Sequence, residues 1–190
     1  MSPITHGLIG WIVANSSPKL NPKERGIITL AALVPDLDGL GIIMQYITQD
    51  SDHQATWYFD YHHTFGHNLF FGIFLMGVAW MVTEKRGVAA LLTGLSYHLH
   101  LLGDLVGSRG THVDDKWPIP YLFPISDEWT WNWSGQWQLV SWQNFTATAL
   151  TLGITFHLAW RRGYSPLELI SNRADQAFVT TLRKRFPASG

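Results

Sequence analysis

A mismatch governs what this chain can fold into: its long apolar stretches carry histidine and aspartate inside them. Four stretches, 26–47, 64–83, 88–106 and 142–160, are dominated by aliphatic and aromatic residues. Yet the first holds Asp36 and Asp38, the second holds His67 with His62 and His63 just before it, and the third holds His98, His100 and Asp104. Charged groups in apolar surroundings are costly unless they find a partner. A divalent cation is such a partner, because imidazole nitrogens and carboxylate oxygens bind it and still leave a position open to water. The pattern describes a candidate metalloenzyme.

Composition narrows the ligand chemistry. The chain has no cysteine, so disulfides and thiolate sites are excluded and any metal is held by nitrogen and oxygen. A formal net charge of -1 over 190 residues gives no field that would draw nucleic acid, and none is expected as a partner. Length suits one domain with a real core. Basic residues gather late: Arg161, Arg162, Arg173, Arg183, Lys184 and Arg185 lie in the tail against only Glu168 and Asp175. The first residues have no basic lead, so no cleavable signal is expected.

The period of the apolar residues predicts helices. A short one spans 4–15, and Asn21-Pro22-Lys23-Glu24 reads as a helix start, with a cap, a first-turn proline and a glutamate three residues after the cap. Helices are expected over 64–83, 88–106 and 142–160, and a loop over 48–61. Residues 107–141, rich in Gly, Pro, Trp and Asp, keep no period and read as a long functional loop. The expected fold is all-α: a bundle of about five apolar helices with a metal site between them and a long aromatic loop. Residues 1–164 would form the helical domain and 165–190 a basic amphipathic tail.

The apolar stretches approach the length of a bilayer span. Lys19, Lys23 and Arg25 precede the first, Lys85 and Arg86 separate the second from the third, and the basic tail follows the fourth, whereas 48–65 and 107–141 hold only Arg109 and Lys116. That alternation predicts four spans with a cytoplasmic C-terminus, the tail lying on the membrane lipids. The competing expectation is a set of core helices in a soluble all-α enzyme.

On a helix over 88–106, His100 and Asp104 share one face and can reach one ion, while His98 points away as a packing residue. His63 and His67 stand four apart and His62 and His67 five apart, so spacing leaves the ligand pair open; the bland alternative is a solvated, His-rich loop end. Gly66 would let backbone or substrate approach. Pro35 interrupts its stretch, and Asp36 and Asp38 beside it suggest a wet cavity, against the plain alternative of Asp36 as a helix cap. Arg109, with Ser108 before it, could grip an anionic group, though a surface ion pair is the commoner fate of such an arginine.

His6, Pro35-Asp36-Leu37-Asp38, the run His62–Asn68, His100 with Asp104, and Leu122-Phe123-Pro124 resemble, in order and spacing, the LexA-regulated, membrane-bound metal-dependent hydrolases, an inner-membrane family related in pattern to zinc-dependent phospholipase C. The resemblance spans about residues 1–126. Departures fall in the His run, where His63, Thr64, Gly66 and Asn68 stand for the family's Arg, Gly, Thr and Ser. The reading that follows is a membrane hydrolase with one or two divalent ions, zinc first and manganese or iron next, held by His6, Asp36, Asp38, His62, His67, His100 and Asp104. Seven candidates exceed the three protein ligands usual for one catalytic zinc, which favours two ions. His63 would move a proton, and Asn68, Ser108 and Arg109 would face the substrate. The resemblance implies a phosphoester, of a small molecule or a lipid. The alternative is a membrane metal-binding or transport protein.

Overall fold

Ser2 starts helix α1 (Pro3–Ala14) by accepting from the Thr5 amide at 3.3 Å, with Pro3 at the first helical position where no amide is needed. The computed structural model describes residues 1–126 and 128–187, so the last three residues of the expected tail lie outside it. Helix α2 (Pro22–Leu30) opens on the reciprocal cap that its sequence predicts: Asn21 Oδ1 accepts from the Glu24 amide and Glu24 Oε2 from the Asn21 amide, both at 2.9 Å. The buried Glu24 also accepts from the Lys85 amide at 2.8 Å, which ties this cap to the start of helix α6 (Arg86–Gly107).

The stretch 26–47 is not one helix. It breaks after Leu30 into a 3-10 helix over Val34–Leu40, then a short helix α3 (Gly41–Ile47). Pro35 lacks an amide and cannot continue an α-helical ladder. The expected loop 48–61 contains the short helix α4 (Trp57–Tyr61). Helix α5 (Leu69–Val82) begins later than its apolar pattern suggests, because Asn68 caps it by accepting from the Phe71 amide at 3.0 Å. In the long loop, strand β1 (Ile119–Pro120) pairs antiparallel with β2 (Thr130–Trp131). Helix α7 (Trp142–Arg162) ends on Gly163 in the left-handed region, and a 3-10 turn (Pro166–Leu169) leads to α8 (Asn172–Arg185).

Helix α6 packs against α1, α2 and α5, and α1 also packs against α7. The α1–α2–α6 contact is close: a Cβ on Gly10 would stand 2.8 Å from Ala32 Cβ and 3.0 Å from Ser96 Oγ. The helices run alternately. Arg162 donates to Asn15 O and Lys23 to Val82 O at one end. At the other, Asn144 donates to Gly107 O at 2.8 Å and His6 meets Asp104. Lys19, Lys23, Lys85, Arg161 and Arg162 thus flank helix termini away from the Asp104 end.

The apolar pattern predicts four spans, over 26–47, 64–83, 88–106 and 142–160. Among the described residues no single helix is long and apolar enough to cross a membrane. Helices α1, α2 and α5 have 12, 9 and 14 residues, and at about 1.5 Å per residue such helices fall short of a hydrocarbon core of about 30 Å. The longer α6 puts Ser96, His100 and Asp104 on its buried face. Among the described residues, Pro22–Leu30 with Val34–Ile47, bent by 45°, is the pair that passes by length and composition.

Candidate metal centre

Three segments bring their polar side chains to one point. Asp36 comes from the 3-10 helix, His67 from the turn before α5, and His100 and Asp104 from one face of α6. One ligand atom from each lies within 4.8 Å of the others. His67, His100 and Asp104 are almost fully buried.

Hydrogen bonds fix the imidazole tautomers. His100 Nδ1 lies 2.9 Å from Ala32 O, a pure acceptor, so it carries the proton and leaves Nε2 with a lone pair. His67 Nδ1 lies 3.0 Å from Asp38 Oδ2, which demands the same of His67. The two Nε2 atoms face each other at 3.0 Å. Two lone pairs cannot rest there unless a proton or a cation comes between them. Asp104 Oδ2 lies 3.0 Å from His100 Nε2 and 3.4 Å from His67 Nε2, and Asp36 Oδ1 lies 3.7 Å from His100 Nε2. Asp104 Oδ2 and Asp36 Oδ2 are buried with no hydrogen-bond partner. Two nitrogens and two carboxylates, some of their atoms unsatisfied, make a donor set that fits a divalent cation.

Charge follows the same geometry. Burial would push His67 down, but hydrogen bonds and attraction from Asp104 and Asp38 outweigh it and raise it to about 9. Burial would raise Asp104, yet His6 and His100 around it hold the carboxyl well below its ordinary value. His63 goes the other way, pushed well below the histidine value by burial and by neighbouring His67. Burial also lowers His6.

The remaining expected residues occupy distinct places. Asp38 stands behind His67, both its oxygens spent: Oδ1 on His62 Nδ1 at 2.8 Å, Oδ2 on His67 Nδ1 and on the Gly66 amide at 3.1 Å. A carboxylate on the far nitrogen of a ligating histidine fixes its ring and raises its basicity. His6 reaches Asp104 Oδ1 at 3.0 Å, where the Met1 amino group also sits. His63, held at a left-handed φ of 67°, puts Nε2 3.8 Å from Asp104 Oδ2. His62 stacks on Tyr58 and meets the edge of Trp117.

A cavity of about 830 Å³ opens over this cluster, lined on its polar side by Asp36, His62, His63, Asp104 and Ser108 and on its apolar side by Tyr58, Phe59, Trp117 and Leu139. Ser108 donates to Asp104 O at 2.7 Å. Asn68 spends its amide on Thr64 O, Phe65 O and the α5 cap, so it serves the turn. Arg109 lies off the cavity lining, its backbone paired with Trp137 O and Leu139 N. His98, as expected, packs: it bonds Gly94 O and the Tyr121 hydroxyl.

A family model described as the YdjM inner membrane protein matches residues 1–174. The chain belongs to the YdjM inner membrane protein family. No curated protein matches it, and no solved structure does. The span shared with the YdjM family contains the whole cluster and its cavity and ends inside α8.

Sequence reasoning missed Tyr58 and Gln136. Gln136 is buried and holds the loop onto α6, donating to Asp104 O and Leu105 O at 3.1 Å and accepting from the Trp117 amide at 3.1 Å. Its neighbours in sequence carry no motif, so nothing there could have singled it out. Tyr58 was hidden by the expectation of a featureless loop.

Proposed function

We propose that this protein is a divalent-metal-dependent hydrolase of the inner membrane that cleaves a phosphoester. The observation that carries the reading is the close approach of the two Nε2 atoms, 3.0 Å apart, beneath Asp36 and Asp104, which line the open cavity and each keep a buried oxygen without a hydrogen-bond partner. Asp36, His67, His100 and Asp104 would hold the ion, and zinc suits such a set best. A cation so placed lowers the pKa of water and polarises a phosphoryl oxygen. The chain supplies the rest. Asp38 and Ala32 O orient the two imidazoles. His63, on the cavity lining with Nε2 3.8 Å from Asp104 Oδ2, would accept the proton of the attacking water. Tyr58 and Trp117 exclude bulk water and seat the apolar part of the substrate. His6 and His62, also expected as ligands, stand outside that four-residue group, each hydrogen-bonded to a carboxylate, Asp104 and Asp38 respectively. The basic helix ends, far from the cavity, would face the cytoplasm together with the C-terminus.

The test is elemental analysis of purified protein, followed by assay on bis(p-nitrophenyl) phosphate and on phospholipids with the identified ion. About one or two equivalents of metal are expected, with His100→Ala and Asp104→Asn losing both metal and turnover. His63→Gln should keep the metal and lose about 10²–10⁴-fold in rate. Metal bound tightly without turnover of any ester would favour the metal-binding or transport reading instead.

A further inference from the structure

Helices α3 and α4 bury none of their residues. Ile42, Ile43, Tyr46 and Ile47 on one, and Trp57, Phe59 and Tyr61 on the other, are 44 to 72 % exposed. The two helices are nevertheless held closely together. A Cβ on Gly41 would lie 2.8 Å from the backbone of Trp57 and Tyr58, and one on Gly39 would lie 3.0 Å from the His62 ring. Together they form a lobe whose inner side is a wall of the cavity, through Tyr58 and Phe59. Phe59 stacks on Trp117 at 6.3 Å while its own ring stays largely exposed.

Water is a poor neighbour for such a surface, since contiguous apolar patches mark a binding face. The family is one of inner membrane proteins; no single described helix is long and apolar enough to cross a bilayer, and the described pair that passes together, Pro22–Leu30 with Val34–Ile47, ends in α3. The α3–α4 lobe presents one outward apolar face, beside the cavity, through which such a protein can meet lipid. Its connecting segment, 48–56, is polar, with Asp50, Asp52 and His53. A pair of short apolar helices joined by a polar link suits the plane of the interface, with the link among headgroups and the helices against acyl chains.

We propose that the α3–α4 lobe is a membrane-entry element that inserts into the lipid surface beside the cavity. The cavity mouth then opens at that surface, and its substrate is an amphiphile drawn from the bilayer, polar group towards the Asp36–Asp104 cluster and apolar part along Phe59 and Trp117. The substrate clause rests on the hydrolase reading; the lobe's position does not.

The absence of cysteine makes the test clean. Spin labels at Ile43→Cys and Ile47→Cys, neighbours on one helical face, are compared with Gln176→Cys on exposed α8, in metal-loaded full-length protein on phosphatidylethanolamine–phosphatidylglycerol vesicles. Labels at 43 and 47 should collide with oxygen and be shielded from an aqueous nickel chelate, whereas the label at 176 meets the chelate. Equal access of the chelate to all three positions would overturn the lobe's insertion. The double variant Ile43→Glu/Ile47→Glu should slow cleavage of vesicle phospholipid at least tenfold relative to soluble bis(p-nitrophenyl) phosphate; equal slowing of both, or of neither, would overturn the route from the bilayer. Shielded labels without hydrolysis of either ester would keep the lobe and reject the hydrolase.

Discussion

At the scale of single residues, Asp38 decides how well the centre is prepared. It orders His67 through Nδ1 and His62 through Nδ1 at once, without presenting an oxygen to the cluster. Asp38→Asn keeps the shape and removes the charge, and isothermal titration should show metal affinity reduced by about 10–100-fold with the fold unchanged. His67 carries a second expectation, for protein stripped of metal. Its folded pKa is raised to about 9 from 6.5, so the stabilisation it contributes is complete below 6.5 and is lost as pH rises through about 9. Melting temperature of the stripped protein should therefore fall across that window, and a bound cation, replacing the proton, should flatten the curve. His100, Asp104 and the outward turn of His98 were legible from helical spacing alone. Asp38 was legible as important but not as a buttress, because two aspartates two residues apart look alike until the chain bends around Pro35. His62, His63 and His67 could not be ranked from spacing, since they lie in a turn where helical periodicity has no meaning.

At the scale of elements, close approach sets the geometry. A Cβ on Gly66 would come within 2.5 Å of Pro35 O, so only glycine lets the His turn lie against the Asp-bearing 3-10 helix. The sequence pointed to Gly66 as a place of close approach, and the backbone of Pro35 is what approaches. Gly10 plays the same part where α1 meets α2 and α6. Gly10→Val would press against Ala32 Cβ and Thr29 O, and thermal or denaturant melts should show a loss of about 1–3 kcal/mol. The start of α2 was readable because a cap is local chemistry. The interruption of 26–47 was readable from Pro35, whereas the late start of α5 was harder, because apolar composition runs straight through it. Helix α4 was unreadable: five residues are too few for any period to show.

For the whole molecule, an ion would staple the middle of the chain to α6, joining Asp36 and His67 to His100 and Asp104. Chelation should lower the melting temperature, by an amount equivalent to about 4 kcal/mol when the ion had been at about 1,000 times its Kd. A melt unchanged by chelator would mean that the four side chains are held without help. At the opposite end, Arg25 forks onto Glu168 at 2.7 Å through Nε, its guanidinium lies 3.8 Å over the Tyr164 ring, and Asp175 accepts from the Ser165 amide and hydroxyl at 2.6 Å. Both members of the Arg25–Glu168 pair are nearly shut off from water. A chain cut just after Arg162 would therefore remove both the carboxylate and the ring against which Arg25 is buried, and Arg25 stands on the very helix that leads to Asp36. The segment from Tyr164 to Asp175 is thus a keel, seated against α2 at the pole opposite the centre.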